Sequence, residues 1–215
     1  MNEIEPVVHI VDDDPSFLAA TSRLLRASGL AVHTFSSASD FLARRDPNTP
    51  GCVVADLQMP GMNGLDLQSA LIQTDNPPPV LFLTGHGDIP STVRAMREGA
   101  VDFLEKRAPK EDLLDAVRRA LARDEQERAE RVRRRELRMR FDSLSARELE
   151  VLSHVVQGRL NKQIAADLGI HERTVKLHRT AITTKLDVHS VAELTRLTEE
   201  AAVFQASRPT FPKGQ

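Results

Sequence analysis

Apolar runs of strand length recur along the first half of the chain: VVHIV (7–11), AVHTF (31–35), CVVA (52–55), VLFLT (80–84) and VDFLE (101–105). Stretches of helical period lie between most of them. In SFLAATSRLLRASG, Phe17, Leu18, Leu24 and Leu25 share one face and Gly29 supplies the stop. Strands alternating with helices predict βαβ units, and hence a mostly parallel sheet covered on both sides. From Leu144 onward the pattern is purely helical. SARELEVLSHVVQG begins at Ser145 and carries Glu148 three residues later, a capping box, and NKQIAADLG, HERTVKLHRTAITTKL and SVAELTRLTEEAA follow. The expected architecture is a doubly wound, five-stranded α/β domain over residues 1–122, then an all-α, four-helix domain over 143–204. Residues 205–215 form a flexible tail.

Between the two lies ARDEQERAERVRRRELRMRF, without proline or glycine and with few large apolar residues. Asp124/Arg128, Glu127/Arg131 and Glu130/Arg134 are spaced i,i+4 with the acid N-terminal, the order that supports an exposed helix. Residues 123–142 therefore read as a charged helical linker continuing from the last helix of the first domain. A dimeric coiled coil is the weaker reading, because the apolar seam of Leu114, Val117 or Leu121 and Val132 breaks up after Leu121.

Charge sharpens this division. The formal net charge of −2 hides an asymmetry: residues 1–122 hold 17 acids against 11 bases, whereas 123–140 hold 8 bases against 5 acids. Two halves with different partners are implied. No apolar stretch approaches the roughly 20 residues of a transmembrane helix, and MNEIEP is unlike a signal peptide, so a cytoplasmic protein with no membrane partner is expected. The single cysteine, Cys52, sits in an apolar run and reads as buried packing.

Ligands of a doubly wound sheet bind beyond the carboxyl ends of its strands. Asp12 and Asp13 end the first strand, Asp56 the third and Thr84 the fourth, and Lys106 follows the fifth. Two carboxylates about 4 Å apart repel by about 4 kcal/mol at an effective dielectric near 20, so the group calls for compensation. An oxygen-only donor set suits a hard cation such as Mg²⁺, leaving coordination positions for a phosphoryl oxygen. Lys106 and the Thr84 hydroxyl could take the other phosphoryl oxygens. Asp14, followed by Pro15, fits a helix N-cap instead.

HIVDDDPS, VVADLQMPGMNGLDL, VLFLTGHGDIPSTVRAMREGAVDFLEK and SARELEVL…NKQIAADLGIHERTVKLH together resemble the FixJ-like two-component response regulators, a receiver domain joined to a LuxR-type helix-turn-helix domain. The resemblance implies a flavodoxin-like receiver in which Asp56 is the phosphate acceptor. Asp12, Asp13, Asp56 and the Gln58 backbone carbonyl would bind Mg²⁺, Lys106 would bind phosphate, and Thr84 and Phe103 would form a switch pair. Gly85 would keep the approach to Asp56 open, and His86 would sit at the rim, influencing with Gln58 how fast the phosphate is lost. The family usually has proline after the lysine, often in a cis bond; Arg107 stands here instead. A trans bond and a rearranged loop are expected, with the direction of Lys106 left open.

In the second half, NKQIAADLGIHERTVKLHRTAITTKL reads as helix, turn at LGI and a second helix able to enter the major groove. Arg159, Lys162, Arg173, Lys176, Arg179 and Lys185 make the stretch locally basic. Lys176, Leu177 and Thr180 share a face and match the family's base-facing positions. Thr174, Arg179 and Lys185 look like phosphate contacts, while Val175 and Ile182 face the core. Val191, Leu194 and Leu197 on the last helix are either a dimer surface, as in the family, or intradomain core.

The resemblance thus implies a non-enzymatic transcriptional regulator. A sensor histidine kinase phosphorylates Asp56, and this controls homodimerisation and binding to double-stranded promoter DNA, with RNA polymerase as a further partner. Two rivals stand beside it. One is a phosphorylation-independent DNA-binding regulator whose degenerate receiver is a dimerisation or ligand-gated module. The other is a phosphoryl-transfer enzyme, which lacks any recognisable substrate domain.

Overall fold

The computed structural model describes residues 5–85 and 89–206, the side chains of 202–206 excepted. The reading of His86 and that of the tail beyond residue 206 lie outside them. The chain divides into two compact units, residues 1–129 and 130–215.

In the first unit, β1 (Val7–Val11), β2 (Ala31–Phe35), β3 (Gly51–Ala55), β4 (Val80–Thr84) and β5 (Asp102–Glu105) form one parallel sheet in the order β2-β1-β3-β4-β5. Every residue of β1, β3 and β4 is buried, whereas the edge strands β2 and β5 are partly exposed. Central strands covered on both faces need no polar alternation, which is why they read as continuous apolar runs. Four helices, α1 (Pro15–Ala27), α2 (Ala38–Arg44), α3 (Gly64–Ile72) and α4 (Ile89–Arg97), alternate with the strands, and α5 (Lys110–Asp142) follows β5. Two apolar layers result. Val8, Ile10, Cys52, Val54, Leu81 and Leu83 pack with Leu25 of α1 and with Leu113, Ala116, Val117 and Ala120 of α5. Val11, Val53, Ala55 and Phe82 pack on the opposite side with Phe41, Leu67 and Leu71. Cys52 is fully buried, and burial pushes its thiol up to about 12, consistent with packing and not reactivity.

One glycine permits a close approach that matters for the site. A Cβ on Gly64, at the start of α3, would lie 2.4 Å from the Asp56 carbonyl oxygen and 2.9 Å from the Phe82 ring. The first turn of α3 can therefore settle directly on the end of β3.

The linker stretch differs from a simple solvated connector. Asp124 is 1% exposed, and its carboxylate accepts from the Gly51 N–H and from Arg128 Nε, both at 2.7 Å. Arg128 also donates to the carbonyls of Asn48 and Thr49. The i,i+4 pair expected to serve the helix alone instead ties α5 to the entry of β3.

In the second unit, α6 (Ala146–Val156), α7 (Asn161–Leu168), α8 (Glu172–Leu186) and α9 (Val191–Ala206) enclose a core of Val151, Leu152, Val155, Ile164, Val175, Ile182, Leu186 and Leu194. The Ser145/Glu148 capping box is present on α6. Glycine at the C-terminus of α7 (Gly169, φ 63°) and Asp187 after α8 (φ 54°) adopt the left-handed conformation that ends each helix. Within this unit Leu137, near the end of α5, is 5% exposed, and Arg133 makes a two-point ion pair with Glu200 of α9. This part of the linker, too, is packed and not free.

Candidate functional site

Asp12 and Asp13 follow β1, Asp56 follows β3, and a carboxylate oxygen of each lies within 4.8 Å of the others. Asp12 and Asp56 are buried and Asp13 is exposed, so the cluster opens to solvent on one side. Lys106, in the turn after β5, reaches across the sheet end. Its Nζ lies 2.7 Å from Asp12 Oδ2 and 2.8 Å from Asp56 Oδ2. The ammonium thus stands where the carboxylates need positive charge. Burial opposes the Lys106 charge, but hydrogen bonds and attraction to the two carboxylates outweigh it and lift its pKa above the ordinary lysine range. Burial is also the main influence on Asp12, whose pKa is raised even though Lys106 and the Asp14 N–H favour its charged form.

Arg107 does not turn Lys106 away. No peptide bond among the described residues is cis, and the turn closes by hydrogen bonds from the Lys106 N–H to the Thr84 carbonyl and from the Ala108 N–H to the Glu105 carbonyl. Arg107 points outward and pairs with Glu105 at 2.5 Å. The loop accommodates the missing proline while Lys106 keeps its direction into the cluster.

Thr84 ends β4 and is buried, and Phe103, half-buried on β5, lies in register with Phe82 at 6.1 Å between ring centroids. The Gln58 N–H donates to Asp56 Oδ1 at 3.2 Å, orienting that carboxylate. Gly85 is exposed, and a Cβ there would meet nothing within 4 Å. Asp14 caps α1, its side chain accepting from the N–H groups of Ser16 and Phe17, with Pro15 at the first helical position. Its own N–H donates to Asp12 Oδ1 at 2.9 Å. Sequence reasoning passed over one neighbour: the ring of Phe17 lies 4.5 Å from Lys106 Nζ. Its place in DDDPSF, one turn beyond the acids, was the only available signal.

In the second unit Lys162, Arg173, Lys176, Leu177 and Thr180 are exposed, and Thr174 and Arg179 are half-buried. Leu177 is 64% exposed, unusual for leucine on a helix that packs into a core. Val175 and Ile182 are buried, as their spacing implied. Lys185, exposed on the same helix, is also paired within the unit: its Nζ lies 2.7 Å from Glu148 Oε2 and 3.0 Å from the Ser143 carbonyl oxygen. Glu148, 6% exposed and already holding the Ser145 N–H, is stabilised by a cation beside it. Leu194 is buried and Leu197 packs against the same core, so only Val191 of that trio presents an open apolar surface.

The pair of Glu148 and Lys185 has a pH signature. The Lys185 hydrogen bond, followed by the Ser145 N–H, holds the Glu148 carboxyl down to about 2. Above the ordinary carboxylate pKa of about 4.3 both folded and unfolded states are ionised, and the contribution is complete. As pH falls from there toward 2, the unfolded state takes up the proton first and stability is lost. Urea titrations of wild type and Glu148→Gln between pH 5 and pH 2.5 should show the wild-type advantage shrinking steadily over this window. A pH-independent difference would exclude the linkage.

Comparison with known proteins bears on both units. Residues 8–118 match the family model described as response regulator receiver domain, and residues 142–198 match that of bacterial regulatory proteins, luxR family. The chain is 46% identical over 199 residues to the response regulator protein TmoT of Ectopseudomonas mendocina, covering 93% of this chain and 90% of that one. It is 41% identical over 203 residues to the transcriptional regulatory protein FixJ of Azorhizobium caulinodans, covering 94% and 96%. Among solved structures, the response regulator StyR superposes with a TM-score of 0.85 at 45% identity, covering 91% of this chain and 99% of that one.

Proposed function

The chain belongs to the FixJ-like two-component response regulators, transcriptional regulators that join a receiver domain to a LuxR-type DNA-binding domain, and from that membership we propose that Asp56 is its phosphorylated residue. The observation that carries this reading is the bridging of Asp12 and Asp56 by Lys106, with Asp13 beside them at the strand ends. An Asp56 oxygen attacks the phosphorus of a phosphohistidine on the sensor kinase. The new O–P bond forms as the P–N bond breaks, and the departing imidazole keeps the electron pair. Lys106 transfers its ammonium from the carboxylates to a phosphoryl oxygen, and the Thr84 hydroxyl donates to another. The clustered oxygen donors fit Mg²⁺, with Asp12, Asp13, Asp56 and the Gln58 backbone carbonyl as its ligands; when bound it neutralises charge on the transferring group. Thr84 and Phe103 act as the switch pair, the ring turning inward as the hydroxyl moves.

Functionally, residues 1–122 are assigned as receiver, 123–142 as linker and 143–204 as DNA-binding domain. The exposed face of α8 enters the major groove. Lys176, Leu177 and Thr180 meet base edges, and Lys162, Arg173, Thr174, Arg179 and Lys185 meet the backbone. Phosphorylation promotes a homodimer on two half-sites and contact with RNA polymerase, in the cytoplasm where promoters lie. Among the described residues no helix is long and apolar enough to cross a membrane.

Footprinting with and without a small phosphodonor and Mg²⁺ tests the whole reading: protection of a promoter site should strengthen on phosphorylation. Lys176→Ala should cost about 1–3 kcal/mol at its base position and relax preference there, without a comparable loss on non-specific DNA. Equal losses on all sequences would remove Lys176 from the base-reading set.

A further inference from the structure

Two acids of DDDPSF, Asp12 and Asp14, and the phenylalanine behind them close a ring of contacts with Lys106. Asp12 accepts from the Asp14 N–H through one oxygen and from Lys106 through the other. Asp14 in turn accepts from the Phe17 N–H at 3.2 Å. Phe17 completes the circuit, its ring centroid 4.5 Å from the Lys106 Nζ. The lysine side chain is 20% exposed, with Asp12 and Asp56 on its carboxylate side and the aromatic face beside it. An ammonium so surrounded has lost much of its water, and the negative face of the ring replaces part of it.

We propose that Phe17 is a positioning residue of the phosphoryl site, holding the Lys106 ammonium against the carboxylate cluster through its ring face. The role rests on the reading of Asp56 as phosphoacceptor and goes beyond it, because the cap of α1 becomes part of the site. A charge that must meet a phosphoryl oxygen acts most strongly when it is already placed, and a long flexible lysine is placed only by what surrounds it. Asp14 contributes through backbone geometry: by capping α1 it sets the first turn from which Phe17 projects.

Substitutions separate this role from packing. Phe17 also adjoins the apolar layer of α1 and α5, and Phe17→Leu preserves an apolar side chain there while removing the ring. With acetyl phosphate and Mg²⁺, Phe17→Leu should acquire aspartyl phosphate about fivefold more slowly than wild type, and Phe17→Tyr should stay within about twofold. Equal rates for Leu and wild type, or equal losses for Leu and Tyr, would overturn the proposal. A second measurement needs no phosphorylation. The chain has neither tryptophan nor tyrosine, so Phe17→Trp supplies a lone fluorophore at the ring position. Adding Lys106→Met to it should shift the indole emission, and an unchanged spectrum would refute the contact whatever the phosphorylation assay gives. If wild type takes up no Mg²⁺-dependent phosphate while the emission does shift, the phosphoacceptor reading fails and the Phe17–Lys106 contact stands.

Discussion

Asp56→Asn is expected to reduce Mg²⁺-dependent incorporation of base-labile, hydroxylamine-sensitive phosphate from a small phosphodonor by on the order of a hundredfold or more, because the amide lacks the nucleophilic oxygen. The fold should survive the change. Asn is isosteric, the backbone N–H at this position still donates to Val11, and the side-chain oxygen can still accept from the Gln58 N–H. Stability should hold or rise, because one of three crowded carboxylates has lost its charge while Lys106 keeps Asp12 as partner. Mass spectrometry of the phosphorylated chain and a thermal melt read these two effects separately. Lost phosphate with an unchanged or higher Tm supports Asp56 as the acceptor. Full phosphorylation of the variant would exclude it. A wild type that never takes up phosphate would favour instead a receiver acting as a constitutive dimerisation or ligand-gated module.

The largest stability effect is expected away from the chemistry, at Asp124. Asp124→Ala removes the acceptor of the Gly51 N–H and the ion partner of Arg128 Nε in one step. Breaking a buried ion pair by truncating one member costs about 3–5 kcal/mol, but Arg128 is 22% exposed and keeps two carbonyl partners. A loss of about 2–4 kcal/mol follows, lowering the melting transition of the first unit by roughly 5–15 °C. Arg128→Ala should cost a comparable amount, since it takes the Arg128 cation from a carboxylate that is 1% exposed, although that carboxylate still holds the Gly51 N–H. The double variant should fall short of the sum, which a double-mutant cycle in urea measures directly. Additive losses would mean that the two side chains do not act as a unit. Gly51 cannot compensate: its φ is 146°, and a Cβ there would lie 1.9 Å from the Val7 carbonyl oxygen.

The two expectations differ in how visible their residues are in the chain. Asp12, Asp13 and Asp56 stand out because each directly follows an apolar run, and strand ends are where a parallel sheet gathers ligands. Asp124 offers no such mark. It lies in a run of charged residues, where an i,i+4 partner is the ordinary explanation and burial is the exception. The same holds for Lys185, whose place on a basic helix suggested DNA phosphate and gave no sign of its pairing with Glu148.

Local pattern by itself determined the five strand positions, the Asp14 and Ser145 caps, the buried character of Cys52, Val175 and Ile182, and the set of residues at the strand ends. Each depends on neighbours within a turn or a strand, or on the rule that the strands of a parallel sheet point the same way. Tertiary structure alone decided that Lys106 enters the cluster despite Arg107, that Phe17 lies beside its ammonium, that α5 is tied to β3, and that Lys185 pairs with Glu148. Those outcomes rest on partners 50 residues apart for Lys106 and Asp56, 73 for Asp124 and Gly51 and 37 for Lys185 and Glu148. At such separations local sequence specifies which groups need a partner, but chain packing selects which one they meet.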